Sequence, residues 1–146
     1  MRELPRQLTV DELAELFEGR TVLVERLAEI DDPLGHPQEV IDGLGDDDKL
    51  AALNAHPAIG QRAGLSARSA TEQGSDDDAE VLAQLERLNR AYEERFGFRF
   101  VVFVNGRPRC EIVPVLRERL DRTRQEELET ALEELVAIAA DRWRRG

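Results

Sequence analysis

The run Phe98-Arg99-Phe100-Val101-Val102-Phe103-Val104-Asn105-Gly106 decides the fold class, because the sequence on either side of it reads as helix. Aromatic and β-branched residues fill it, and Asn105-Gly106 is a strong tight-turn signal. Two arrangements satisfy that pattern: a β-hairpin, or one extended segment buried among helices. The return arm of a hairpin would start Arg107-Pro108, and proline cannot donate to a strand ladder, which demotes the second strand. An extended segment over residues 98–104, packed among helices, fits as well.

Working outward, Val81, Leu85, Leu88 and Tyr92 recur at helical spacing behind Asp76-Asp77-Asp78. That acidic run suits the first turn of a helix, and no Asp-x-Asp-x-Asp-Gly spacing follows to make it a metal loop. Downstream, Thr123-Arg124-Gln125-Glu126 is a capping box that opens a last helix with apolar positions Leu128, Leu132, Leu135, Ala139 and Trp143. Near the start, Thr9-Val10-Asp11-Glu12 is a second box; Leu13, Leu16 and Phe17 form its apolar face and Gly19 ends the helix. Leu23, Leu27 and Ile30 mark a further helix that stops at Asp31-Asp32-Pro33. Pro37 suits the first turn of a short one ending near Gly43 to Gly45, and Asp46 to Asp48 open another with Leu50 and Leu53 inward. Residues 58–68 hold two glycines and read as a loop. Periodicity points to one mainly helical domain over 1–146, with the 98–104 run open to either arrangement.

At 146 residues the chain is long enough for a real core. Its net charge of −11 is uneven: residues 1–85 carry 19 acids against 7 bases, while the rest carry 12 against 13. No basic patch faces a phosphate backbone, so nucleic acid is not an expected partner. Arginine supplies 19 of the 20 basic residues, for which biased codon usage is explanation enough. Cys110 stands alone, which excludes a disulfide framework and points to a reducing compartment; a free cysteine of this kind is expected as a small buried hydrophobe. No signal pattern and no apolar run of spanning length is present, so a soluble, cytoplasmic protein off the membrane is expected. Nucleotide-cradling loops, His-Glu-x-x-His and Cys-x-x-Cys are absent, and two histidines with one cysteine are too few ligands for a transition metal. No cofactor and no metal are expected.

The chemistry concentrates in Ala55-His56-Pro57-Ala58-Ile59-Gly60, followed by Ser69-Ala70-Thr71-Glu72-Gln73. Pro57 bars His56 from helical backbone angles, and histidine titrates near neutral pH. An imidazole at a helix exit, with a serine, a carboxylate and an amide close in sequence, can serve as a proton-transfer site. Ser69-x-x-Glu72 is equally a capping box that does no more than open a helix. His36-Pro37 shows that a histidine before proline is ordinary. From these residues alone both readings stay open.

Three stretches together resemble a known family. They are Leu53-Asn54-Ala55-His56-Pro57-Ala58-Ile59-Gly60, Ser69-x-x-Glu72-Gln73, and Tyr92-x-x-Arg95-Phe96-Gly97-Phe98-x-Phe100-Val101. Thr130-Ala131-Leu132-x-Glu134 followed by Ile138-Ala139-x-x-Arg142 is similar too. The ordered set resembles the 2-oxo-4-hydroxy-4-carboxy-5-ureidoimidazoline (OHCU) decarboxylases of urate breakdown. The resemblance implies an all-α fold, a single-domain multi-helix bundle over 1–146 with one buried extended segment near 98–104. It also implies a homodimer without cofactor, acting on a small-molecule substrate and yielding (S)-allantoin and carbon dioxide. It implies His56 and Glu72 as catalytic residues. Pro57, Ser69 and Gln73 would contact substrate, as would the backbone amides of Phe100, Val101 and Val102, and Arg142 would bind an anionic oxygen. The chain departs from the family pattern in two places. Gly19-Arg20-Thr21-Val22-Leu23-Val24 replaces a Ser-Pro-Trp-Val-like stretch, and Ala137 replaces a lysine on the last helix. The first bears on how that helix packs; the second leaves the site residues untouched. Two rivals stand beside this reading: a paralogue acting on another small ureido or carboxylate compound, and a non-catalytic helical interaction module.

Overall fold

The computed structural model describes residues 3–57 and 79–146, and among them the ordered backbone is helical, with no strand. The helices among the described residues are, in order, α1 Val10–Phe17, α2 Val22–Leu27, α3 Gln38–Asp42, α4 Asp46–Asn54, α5 Ala79–Phe96, α6 Arg109–Leu120 and α7 Arg124–Arg145. The loop expected at 58–68, the Ser69 to Glu72 box and the Asp76 to Asp78 run lie outside the described residues. The chain divides into two compact units, one of Met1–His56 with Leu132–Gly146, the other of Pro57–Ala131.

In the first unit, α1 starts where its capping box says it should. Thr9 Oγ1 accepts from the Glu12 amide at 3.1 Å while the Glu12 carboxylate accepts from the Thr9 amide at 3.0 Å. Its end differs from expectation: Glu18, not Gly19, takes the left-handed conformation (φ 67°). Gly19 instead lets the backbone pass close to the residue before His56, since a Cβ there would lie 3.4 Å from that of Ala55. The unusual stretch after it still makes a helix, α2, with Thr21 as N-cap and Leu23, Val24 and Leu27 fully buried. α2 packs on α1, α3 and α4. In α4 the inward pair is Ala52 and Leu53, while Leu50 is only half-buried.

The second unit is built on α5 against α6. The buried stripe of α5 runs Leu82, Leu85, Asn89, Tyr92, Phe96, one position round from the expected Val81 and Leu88, both of which are half-buried. Helix α6 carries no sequence signature strong enough to have been expected. Its buried stripe, Arg109, Ile112, Val113, Leu116, Arg119, has an arginine at each end, and Pro114 sits in the middle. That proline removes an amide which would have bonded the Cys110 carbonyl one turn back. Cys110 is solvent-exposed, contrary to the buried position expected of it, because it lies off the α6 stripe. Helix α7 opens with the Thr123 box in both directions, at 3.0 and 3.2 Å.

The deciding run is extended over residues 99–104 and makes no hairpin. Asn105 and Gly106 form the tight turn with φ of 50° and 77°, closed by the Arg107 amide on the Val104 carbonyl at 3.1 Å. The chain then enters α6 through Pro108 at the N-cap, so no return strand exists. Phe98, Phe100, Val101, Val102 and Val104 are all buried. Tyr92 anchors this aromatic layer, with ring centroids 4.6, 5.8 and 5.2 Å from Phe96, Phe98 and Phe100. Pairs of this geometry contribute about 0.5–1.5 kcal/mol each beyond the area they bury.

Candidate functional site

His56 sits one residue past the α4 C-cap, its amide bonded to the Leu53 carbonyl at 3.1 Å. Pro57, with no amide to donate, bars the helix from continuing. The residue is only 8% exposed. His36, the other histidine before a proline, shows the contrast: its side chain is 82% exposed, with Nδ1 2.7 Å from the Asp32 carboxylate on the surface. Of the two, only His56 has the desolvated surroundings in which a proton transfer can be controlled.

In the same unit, Arg142 is buried to 2% exposure. Its Nη1 donates to the Leu16 carbonyl at 2.8 Å and pairs with Glu18 at 3.1 Å. Leu16 lies in the last turn of α1, whose carbonyls have no helical partner, so Arg142 caps α1 from the far end of the chain. Glu18 supplies the countercharge that a buried guanidinium requires. Trp143 next to it donates its indole N–H to the Glu3 carbonyl at 2.7 Å. Arg142 is therefore a fixed cation whose plane is set by the protein.

The second unit holds Pro57, Phe100, Val101 and Val102, all buried. Ser69, Glu72 and Gln73 lie outside the described residues. A group that sequence reasoning missed stands behind Phe100 and Val101. Glu127, fully buried, accepts from the Tyr92 hydroxyl and from Arg119 Nε at 2.7 Å each, and from Arg122 Nη1 at 2.9 Å. Arg119 also donates to the Val101 carbonyl at 2.7 Å, with its guanidinium 4.6 Å above the Phe100 ring. Burial, then the hydrogen bond to Glu127, pushes the Tyr92 phenol well above its ordinary pKa, which favours its protonated, donating form. The one sequence signal for this group was Arg119 continuing the Ile112, Leu116 spacing, a charge on an apolar stripe.

Among the described residues the chain is a small helical protein with a buried histidine at a helix exit and a buried non-helical segment over 99–104. A family model described as OHCU decarboxylase matches residues 2–144. The chain belongs to the OHCU decarboxylase family. A 2-oxo-4-hydroxy-4-carboxy-5-ureidoimidazoline decarboxylase of Haloferax volcanii is 31% identical, over 89% of this chain and 83% of its own length. The uric acid degradation bifunctional protein of Bacillus sp. strain TB-90 is 30% identical over 87% of this chain, which spans 27% of that protein. A crystal structure of OHCU decarboxylase in the presence of (S)-allantoin shares the fold, with a TM-score of 0.72 at 23% identity over 90% of this chain and 94% of that one.

Proposed function

We propose that this protein decarboxylates 2-oxo-4-hydroxy-4-carboxy-5-ureidoimidazoline to (S)-allantoin in urate degradation. The observation that carries the reading is the family match over residues 2–144 together with a buried His56 at the α4 exit. The match favours it over a paralogue of other specificity and over an inactive helical module.

The substrate makes its own electron sink. Its carboxylate lies β to a ring imine, so when the carbon–carboxylate bond breaks, carbon dioxide leaves and the electron pair moves into the ring toward the imine nitrogen. The imine nitrogen takes up a proton, and the enol left on the hydroxyl carbon releases its hydroxyl proton as it becomes the carbonyl of the product. One proton is delivered to one face of the neighbouring ring carbon. The protein has to hold the carboxylate away from water, fix the ring and choose the face. In this reading His56 handles the proton at the reacting centre, and Glu72 accepts hydrogen bonds from hydroxyl or ureido donors. Ser69 and Gln73 hold ring polar atoms, with Pro57 shaping the wall. The amides of Phe100, Val101 and Val102 meet substrate oxygens. Arg142, already oriented by Leu16 and Glu18, clamps an anionic oxygen with little rotamer entropy left to lose. The protein works without cofactor, as a cytoplasmic homodimer.

The test is consumption of substrate made in place from urate, with and without this protein, in buffer containing a metal chelator. The reading requires faster decay with protein present and chelator without effect. Decay at the spontaneous rate with folded protein in excess would reject it.

A further inference from the structure

Among the described residues no strand runs beside the 99–104 segment to orient its peptides, and side chains do so instead. In the second unit arginines take on that task. Arg119 donates to the Val101 carbonyl at 2.7 Å, and Arg107 to those of Phe103 and Val104 at 2.7 and 3.0 Å. Of these, Arg119 is the one that reaches the residues expected to meet substrate. It is 5% exposed and cannot swing, because Nε is held by Glu127 and the guanidinium plane lies over Phe100. Glu127 is itself fixed by Tyr92 and Arg122.

A buried ion pair is a poor device for stability alone, since desolvation of both charges offsets their attraction. Its geometry serves another purpose. In a planar trans peptide the carbonyl and the following N–H point in opposite directions. Turning the Val101 carbonyl onto Arg119 therefore turns the Val102 N–H away from the arginine network. A cation on the carbonyl also polarises the same amide and strengthens its N–H as a donor. We propose that Arg119, held by Glu127, is a positioning residue for the decarboxylation: it aims and polarises the Val101–Val102 peptide so that the Val102 N–H bonds an anionic oxygen of the substrate. The proposal rests on the function given above.

The experiment compares wild type with Arg119→Lys, which keeps the charge but cannot reach Glu127 and the Val101 carbonyl in one fork. Glu127→Gln, which keeps hydrogen-bonding shape while loosening Arg119, is the second variant should the first not fold. Two readouts are taken: steady-state turnover, and the Val102 amide resonance in 15N-labelled protein titrated with (S)-allantoin. Removing a preorganised donor costs roughly 10²–10³-fold in kcat, so misaiming one predicts a fall of about 10- to 100-fold with KM changed much less. The Val102 proton should move downfield on titration of wild type, and start upfield and respond weakly in the variants. A folded variant with wild-type kcat and an unchanged Val102 resonance overturns the positioning role while leaving the decarboxylase reading intact. A wild-type protein that neither turns over substrate nor shifts Val102 overturns both.

Discussion

At the scale of single residues, burial separates two histidines that the sequence presents alike. Both precede proline, yet His56 is 8% exposed whereas the His36 side chain is 82% exposed beside Asp32. His56→Ala and His56→Asn should lose roughly 10²–10⁴-fold in kcat with the fold kept, the range typical of a general acid–base group. His36→Ala should be close to wild type. Equal, small losses at both positions would reduce His56 to a helix-end residue. Glu72→Gln distinguishes capping from ligand contact: glutamine still serves in a capping box, but it loses charge-assisted hydrogen bonds of about 1.5–3 kcal/mol each. A fall of about 10- to 150-fold in kcat/KM at nearly unchanged Tm is expected, and near-normal turnover would place Glu72 in the scaffold. The position of His56 was legible because proline and a helix end are local chemistry. Arg119 and Glu127 were not, because a buried arginine is visible only once its carboxylate, 8 residues on, folds back against it.

At the scale of elements, local rules set the starts of helices better than their faces. The Thr9 and Thr123 boxes are both formed as read, since the bonds involve residues three apart. The α5 stripe keeps the expected Leu85 and Tyr92 but takes Leu82 and Asn89 in place of Val81 and Leu88, because a polar residue, Asn89, lies on its buried line. Helix α6 was illegible for a related reason: Arg109 and Arg119 occupy buried positions and Pro114 interrupts the pattern. Pro114→Ala should raise stability, by up to about 3 kcal/mol, and a lower Tm would show that the native helix requires the proline. Thr123→Ala should cost about 0.5–2 kcal/mol in denaturant unfolding. The same cap predicts a pH signature. The Thr123 amide, then its hydroxyl, lowers the Glu126 carboxyl below its ordinary 4.5. A depressed folded pKa adds stability above the unfolded value and loses it as pH falls through the folded one. The Tm difference between wild type and Glu126→Gln should thus be present at neutral pH and close below about pH 4.5. A pH-independent gap would mean that shape and not charge makes the cap.

At the scale of the whole molecule, the all-helical class followed from the weight of helical periodicity around one apolar run. The run itself stayed ambiguous because hairpin and buried strand share a composition; Pro108 capping α6 is what removed the return strand. Among the described residues no helix is long and apolar enough to cross a membrane. The expected homodimer is checked by sedimentation, which should return the mass of two chains at micromolar concentration; a monomer mass would remove it. The central claim, that this fold performs a face-selective decarboxylation, is tested most directly by the handedness of the product. With substrate generated from urate and protein present, polarimetry should show allantoin accumulating as the S enantiomer ahead of the racemic background. Racemic allantoin in the presence of ample folded protein would contradict the account.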